Sequence, residues 1–367
     1  MISNSILEKC HVALEFAEKQ LRHLIETHPD YFPMYTLNGK WEHSGEAWTN
    51  WCEGFLGGQL WLIYKHIGDS WWRDKAEHYA RLIEGRKTDR KVHDLGFLFW
   101  PTWKRWYDLT GDEAINSVVV EAGRTLALRY KENGGYLCSF IADNSLFIDI
   151  MMNVGIIFYA ARQTQDDNLR RIANQHCLTT RRVLVRGDGS TAHAGIFDSE
   201  SGEFLHQSTH QGWRGDSSWA RGLAWALYGF GAAYAFTNDV RFLRTAEACA
   251  DFYIEHTPAH GVPPNDWDES DPWLPYESSA AAIAASGLWN LSKLTGDPAY
   301  AYLYRDYALR ILNTLTSPEF LAVETPGWEG ILKHGIYHQR KGLGVDESVM
   351  WGEYFFLEAL GNVIGDG

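Results

Sequence analysis

A short punctuation mark recurs along the chain and restricts what it can fold into. It reads Ile67-Gly-Asp69, Thr110-Gly-Asp112, Thr164-Gln-Asp166, Thr237-Asn-Asp239, Thr295-Gly-Asp297 and Ile364-Gly-Asp366. Gly or Asn tolerates the left-handed backbone that closes a helix, and Asp accepts N–H bonds from the first turn of the next one. Each mark therefore predicts a tight turn between two helices. The marks are spaced 43 to 73 residues apart. That is too irregular for a simple solenoid but fits one helical hairpin per unit.

The segments before the marks are 51–66, 95–109, 147–162, 219–236, 278–294 and 349–363. They are rich in Gly, Ala and aromatic residues and poor in charge. Small residues permit close helix contact and low charge implies burial. The segments after the marks are amphipathic and charged: 72–85, 115–130, 169–185, 241–256 and 300–315. The sixth partner is 6–25, so both ends of the chain close the last hairpin. Six inner and six outer helices in alternation predict an all-α (α/α)6 toroid, with one domain over 1–367. Little reads as strand, apart from a β excursion at 186–205. The N-terminal ends of the inner helices should share one rim. Long loops at 186–218 and 257–277 feed that rim, so the cleft is expected there.

Composition narrows the class. A net charge of −14 argues against nucleic acid and anionic membranes, but leaves room for a small anionic ligand in a local cationic pocket. Aromatic residues make up 14% of the chain, which suits a sugar-binding cleft as well as core packing. Cys10, Cys52, Cys138, Cys177 and Cys249 are widely spaced and odd in number, as expected of free thiols in a reducing compartment. The start, from Met1 to His11, has no apolar leader-like run, and no apolar stretch is long enough to span a bilayer. The expected location is the cytoplasm, and the expected state a monomer or dimer.

Asp149 is the one ionisable residue near the start of the apolar run 144–161. Burial should raise its pKa, as a general acid near neutral pH requires, although it could equally be a helix cap. Asp94 begins the neighbouring inner helix, where the two carboxylates would share one funnel. The run 209–225 sends His210 and Gln211 into a helix with Trp219, Arg221 and Trp225, a natural carboxylate fork beside ring faces. His193 lies on the preceding loop, as a structural or a catalytic residue. Tyr337, His338, Arg340 and Lys341 form a small cationic patch or an ordinary solvated loop. No phosphate loop, dinucleotide motif, nucleophile elbow or zinc spacing appears. Catalysis is expected from side chains alone, with no cofactor and no metal.

Together, His93-Asp94-Leu-Gly-Phe97, Ile148-Asp149-Ile-Met-Met-Asn153, Thr209-His-Gln-Gly212, Ser218-Trp-Ala-Arg-Gly-Leu-Ala-Trp225 and Asp346-Glu-Ser-Val-Met-Trp-Gly-Glu-Tyr-Phe355 resemble the unsaturated glucuronyl hydrolases of glycoside hydrolase family 88. The resemblance runs from about Trp51 to the end of the chain. It implies the same barrel and an anionic oligosaccharide substrate, left by a polysaccharide lyase, whose terminal 4,5-unsaturated uronic acid is removed by hydration of its vinyl ether. It implies Asp149 as the acid and Asp94 as the second carboxylate. It also implies Trp51, His93, His193, Gln211, Trp219, Arg221, Trp225 and Tyr337 as substrate-binding positions. Cys52, Leu223 and Glu277 depart from the family pattern. His338 and Lys341 lie where a sulfate or second acidic group could be read. The rivals are an unsaturated rhamnogalacturonyl hydrolase of related family 105, a sugar epimerase and a toroid that binds sugar without turnover.

Overall fold

The first five marks each start a helix. In the computed structural model, which describes residues 2–270 and 276–366, the side chains of Asp69, Asp112, Asp166, Asp239 and Asp297 accept backbone N–H bonds from the turn that follows. Gly68, Gly111, Gln165 and Asn238 close the preceding helices in the left-handed conformation. The fifth mark closes without a left-handed residue, through an extended Thr295. The sixth is not a turn. Ile364-Gly-Asp366 completes the last helix, and Asp366 accepts the Trp289 indole N–H and pairs with Lys293.

The order is α1 (Asn4–Thr27), α2 (Glu53–Ile67), α3 (Ser70–Leu82), α4 (Leu95–Phe99), α5 (Arg105–Thr110), α6 (Glu113–Ala127), α7 (Ile150–Asn153), α8 (Gly155–Thr164), α9 (Asp167–Leu184), α10 (Ala220–Thr237), α11 (Val240–His256), α12 (Ser278–Leu294), α13 (Pro298–Leu315) and α14 (Met350–Asp366). Helices α4 and α5 form one inner rod, joined by a π-turn at Trp100–Lys104. Pro101 lies in that turn and has no N–H for a regular helical bond. Helices α7 and α8 form the next rod. The inner ring closes: α2 packs on α4 and α14, α14 on α12, α12 on α10, α10 on α7 and α8, and α7 on α4. Helix α1 lies on α13 and α14, so the two chain ends make the sixth hairpin. This is the (α/α)6 barrel. The run Ala280 to Ala285 in α12 is wholly buried and all alanine except Ile283, so most of its contacts with the ring helices are made by small side chains.

The strands are where sequence and structure part. The expected excursion appears as β4 (Ala194–Phe197) and β5 (Phe204–Ser208), after two-residue strands β1 (Tyr130–Lys131) and β2 (Tyr136–Leu137). A third strand, β3 (Ser145–Phe147), pairs antiparallel with β4. It occupies residues expected to begin an inner helix. The Ile148 N–H donates to the His193 carbonyl, so helix geometry starts only at Ile150. Residues expected as the loop before α14 form a hairpin of β6 (Gly335–His338) and β7 (Leu343–Glu347). Of the expected 257–277 loop, residues 271–275 lie outside the described ones. All five cysteines are free and buried. Among the described residues, no helix is long and apolar enough to cross a membrane.

Candidate active site

Asp94 and Asp149 occupy the same place as the turn aspartates, one residue before a helix, yet neither side chain caps it. They turn instead towards each other and towards His93. His93 Nε2 lies 3.4 Å from Asp94 Oδ1 and 3.7 Å from Asp149 Oδ2. On the far side of the ring, Nδ1 accepts the Phe140 N–H at 2.9 Å. Burial opposes charging of this ring and the two carboxylates favour it, with a net upward pull. A proton on Nδ1 would face an N–H, however, so His93 is the neutral tautomer with its proton on Nε2.

Two carboxylates in one dry site share a proton more readily than they both ionise. Burial pushes Asp94 up to about 7; His93 opposes that shift and the Asp149 charge adds to it. Burial also works against the Asp149 charge, but the hydrogen-bonding contact with His93 outweighs it and holds Asp149 below the usual carboxylate range. This corrects the expectation that burial alone raises Asp149. In the free protein the shared proton belongs to Asp94. Asp149 Oδ1 has no hydrogen-bond partner. The ligand atoms of His93, Asp94 and Asp149 lie within 4.8 Å of one another. To ligate a cation, His93 would have to give up its Nε2 proton.

Both carboxylates open into a cavity of about 430 Å³ at the N-terminal rim of the inner helices. It gathers ten of the expected residues. Trp51, His93, Asp94 and Asp149 line it from the turns just before α2, α4 and α7. Gln211, Trp219, Arg221 and Trp225 line it from the loop before α10 and from α10 itself. Tyr337 and Lys341 line it from the β6–β7 hairpin. Arg221 is buried and donates both terminal nitrogens, to the Ile336 and Tyr337 carbonyls. Gln211 Nε2 donates to the same Tyr337 carbonyl at 3.1 Å. The Tyr337 ring lies nearly parallel to Trp51, with centres 6.3 Å apart.

Two expected residues stand behind the wall. His193 is the residue just before β4 and packs, tilted, between Phe147 and Trp219, with ring centres 4.7 and 4.6 Å away. Its Nδ1 accepts the backbone N–H groups of His210 and Gln211, so the proton is on Nε2, which is buried and unpartnered. His338 is not part of an exposed cationic loop. It is buried on β6, 5.3 Å from the His210 ring, and burial pushes it down to about 4, so it is uncharged. Lys341 is exposed and lies 4.8 Å from the Trp48 ring centre. Trp48, Phe140, Ile141 and Phe147 line the cavity without having been singled out. The consecutive apolar pair Phe140–Ile141 in a loop was the available signal for two of them.

The family model for Glycosyl Hydrolase Family 88 matches residues 18–289. The chain belongs to this family. It is a glycosidase. It is 36% identical over 322 residues to an unsaturated glucuronyl hydrolase from Formosa agariphila, covering 85% of this chain and 79% of that protein. It is 30% identical over 378 residues to an unsaturated chondroitin disaccharide hydrolase from Streptococcus agalactiae, covering 98% and 93%. Among solved structures, an unsaturated glucuronyl hydrolase specific for heparin superposes with a TM-score of 0.90 at 29% identity, over 98% of this chain and 97% of that one.

Proposed function

We propose that this family 88 member removes a 4,5-unsaturated uronic acid from the non-reducing end of lyase-generated, glycosaminoglycan-type disaccharides, by hydrating the vinyl ether. One observation carries the reading: two carboxylates that do not cap their helices meet around His93 at the wall of a cavity of disaccharide size. The relatives support the substrate class. A Streptococcus agalactiae structure, of an unsaturated glucuronyl hydrolase mutant complexed with dGlcA-GalNAc6S, superposes with a TM-score of 0.81 at 29% identity, over 98% of this chain and 92% of that one.

The uronate enters beside Asp149, and its negative charge disfavours ionised Asp149, drawing the shared proton over from Asp94. Asp149 gives that proton to C4 of the C4=C5 bond, leaving an oxocarbenium at C5. Water adds to C5 and returns a proton to Asp149, so one water is consumed and the enzyme is restored. The resulting hemiketal opens and the aglycone leaves from C1. Spacing rules for ordinary retaining and inverting glycosidases do not apply, because the first proton goes to carbon. The remaining donors of Arg221, which lines the cavity, orient the uronate. Trp219 and Trp225 supply ring faces.

The test is loss of enol-ether absorbance with lyase-made disaccharides from hyaluronan, chondroitin, sulfated chondroitin and rhamnogalacturonan. Turnover with any of the first three, abolished in Asp149→Asn, is the expected result. Turnover confined to the rhamnose-linked substrate would move the chain to the rival specificity. Absence of turnover with all four, from folded protein, would overturn the reading.

A further inference from the structure

Asn153 ties together the two segments that carry the carboxylates. It is wholly buried at the end of α7, one turn after Asp149. Its side-chain oxygen accepts the Phe97 N–H of α4 at 2.8 Å. Its amide nitrogen donates to the Asp149 carbonyl at 3.2 Å and to Asp94 Oδ1 at 3.4 Å. The helices meet here backbone to backbone: a Cβ added at Gly96 would lie 2.5 Å from Asn153 Cα. Every polar atom of Asn153 is thus committed to the acid pair or to the helix beside it.

We propose that Asn153 is a positioning residue of the reaction: its amide sets the spacing of Asp94 and Asp149 and supports the charge on Asp94 while their shared proton stands on Asp149. This rests on the reading of the pair as the reaction's acid. Charge on Asp94 must be met by donors, and the surroundings offer few. His93 Nε2 lies 3.4 Å away on one side. Arg129 faces Asp94 only through its field, because its guanidinium is committed to the Arg90, Cys138 and Ser139 carbonyls. Cys52 and Tyr337 also face Asp94, and burial keeps both protonated. Asp149 itself faces His93, His193, His210 and Arg221. The Asn153 amide is therefore the side chain that donates a hydrogen bond to Asp94, and it also holds the Asp149 turn. A hydrogen bond donated to a carboxylate favours its charged form, so loss of this amide leaves the proton more firmly on Asp94, away from the substrate.

Asn153→Leu keeps the shape and removes the donor. Two measurements test it. In the free protein, the buried carboxyl titration followed by infrared absorption should move upward by roughly one pH unit. In turnover, kcat should fall about 10- to 100-fold with KM within about threefold, and the alkaline limb of the pH profile should move up. Unchanged carboxyl titration in a folded Asn153→Leu protein overturns the proposal, as does a loss carried by KM alone. If that variant does not fold, Asn153→Ser and Asn153→Ala, which differ by one hydroxyl, make the same comparison. The Ser variant is expected to sit nearer wild type in both readouts, and identical titrations overturn the proposal. The infrared titration needs no substrate. A wild type that turned over no unsaturated disaccharide would sink the functional reading and leave this test standing.

Discussion

Arg221 lies against the face of Trp219, its guanidinium carbon 4.4 Å from the ring centre, while both terminal nitrogens hold the strand that carries Tyr337. The expected carboxylate fork is thus also a structural tie, because a buried guanidinium must satisfy its donors whether or not a ligand is bound. Trp351 covers its other side at 5.0 Å. Arg221→Lys has one compact ammonium and cannot bridge two carbonyls in this plane. Its stability should fall by about 2–4 kcal/mol in urea unfolding, since a buried charge loses partners. Its kcat/KM should fall by roughly 10- to 100-fold as the Tyr337 wall loosens.

Asp149 and Asp112 both precede a helix and should behave oppositely when substituted. Asp149→Asn removes no cap, so thermal unfolding should be nearly unchanged while turnover drops by about 10²–10⁴-fold. Asp112 caps α6 through the Ala114 N–H at 2.8 Å. Asp112→Ala should cost about 1 kcal/mol of stability and leave turnover intact. Equal effects of the two on Tm would contradict the difference in capping.

Asp94 makes stability fall as pH rises. Its carboxyl is at about 7 in the folded protein and at the ordinary 3.8 when unfolded. Between those values the folded state holds the extra proton, so stability is fully present below about pH 4 and is lost through about pH 7. Burial raises Glu353 to about 8, and its contribution has the same sign. Asp94→Asn should flatten this slope over pH 4–7 in denaturant titrations and leave the Glu353 part in place. Activity should also fall above about pH 7, as the pair loses its shared proton.

Lys341 stands at the cavity mouth beside Trp48, exposed, where an acidic group on the second sugar would meet it. Lys341→Ala should raise KM for sulfated disaccharides several-fold more than for unsulfated ones, in line with about 1 kcal/mol for an exposed ion pair. An unchanged ratio between the two substrates would remove Lys341 from sulfate reading. His338, being uncharged, should contribute little to this ratio.

Gly96 permits the closest approach between the two carboxylate-bearing segments. Gly96→Ala would put a methyl group 2.5 Å from Asn153 Cα and 2.8 Å from its carbonyl oxygen. The backbone must move, at a cost of about 1–3 kcal/mol. Turnover should fall with it, because the displaced turn carries Asp149. Guanidinium unfolding together with kcat checks both.

Local chemistry made much of this protein legible. The first five marks located where helices stop and start, because a closing residue, left-handed in four of them, and a capping carboxylate act within a few residues of one another; the sixth, which continues the last helix, did not. The contrast between charge-poor and amphipathic segments separated inner from outer helices, because burial selects composition along a whole helix. The motifs around His93, Asp94, Asp149 and Arg221 carried the family resemblance. Contacts between segments distant in sequence needed the fold. The β3–β4 ladder that delays the helix at Asp149 and brings His193 beside it joins residues 145–147 to 194–197. The β6–β7 hairpin that buries and discharges His338 is held from Arg221, more than a hundred residues away. The sharing of one proton between Asp94 and Asp149, and its place on Asp94 in the free protein, depended on distances and neighbours that only the closed barrel sets. Electrostatic energies vary with separation and burial, and a sequence specifies neither until the chain has packed.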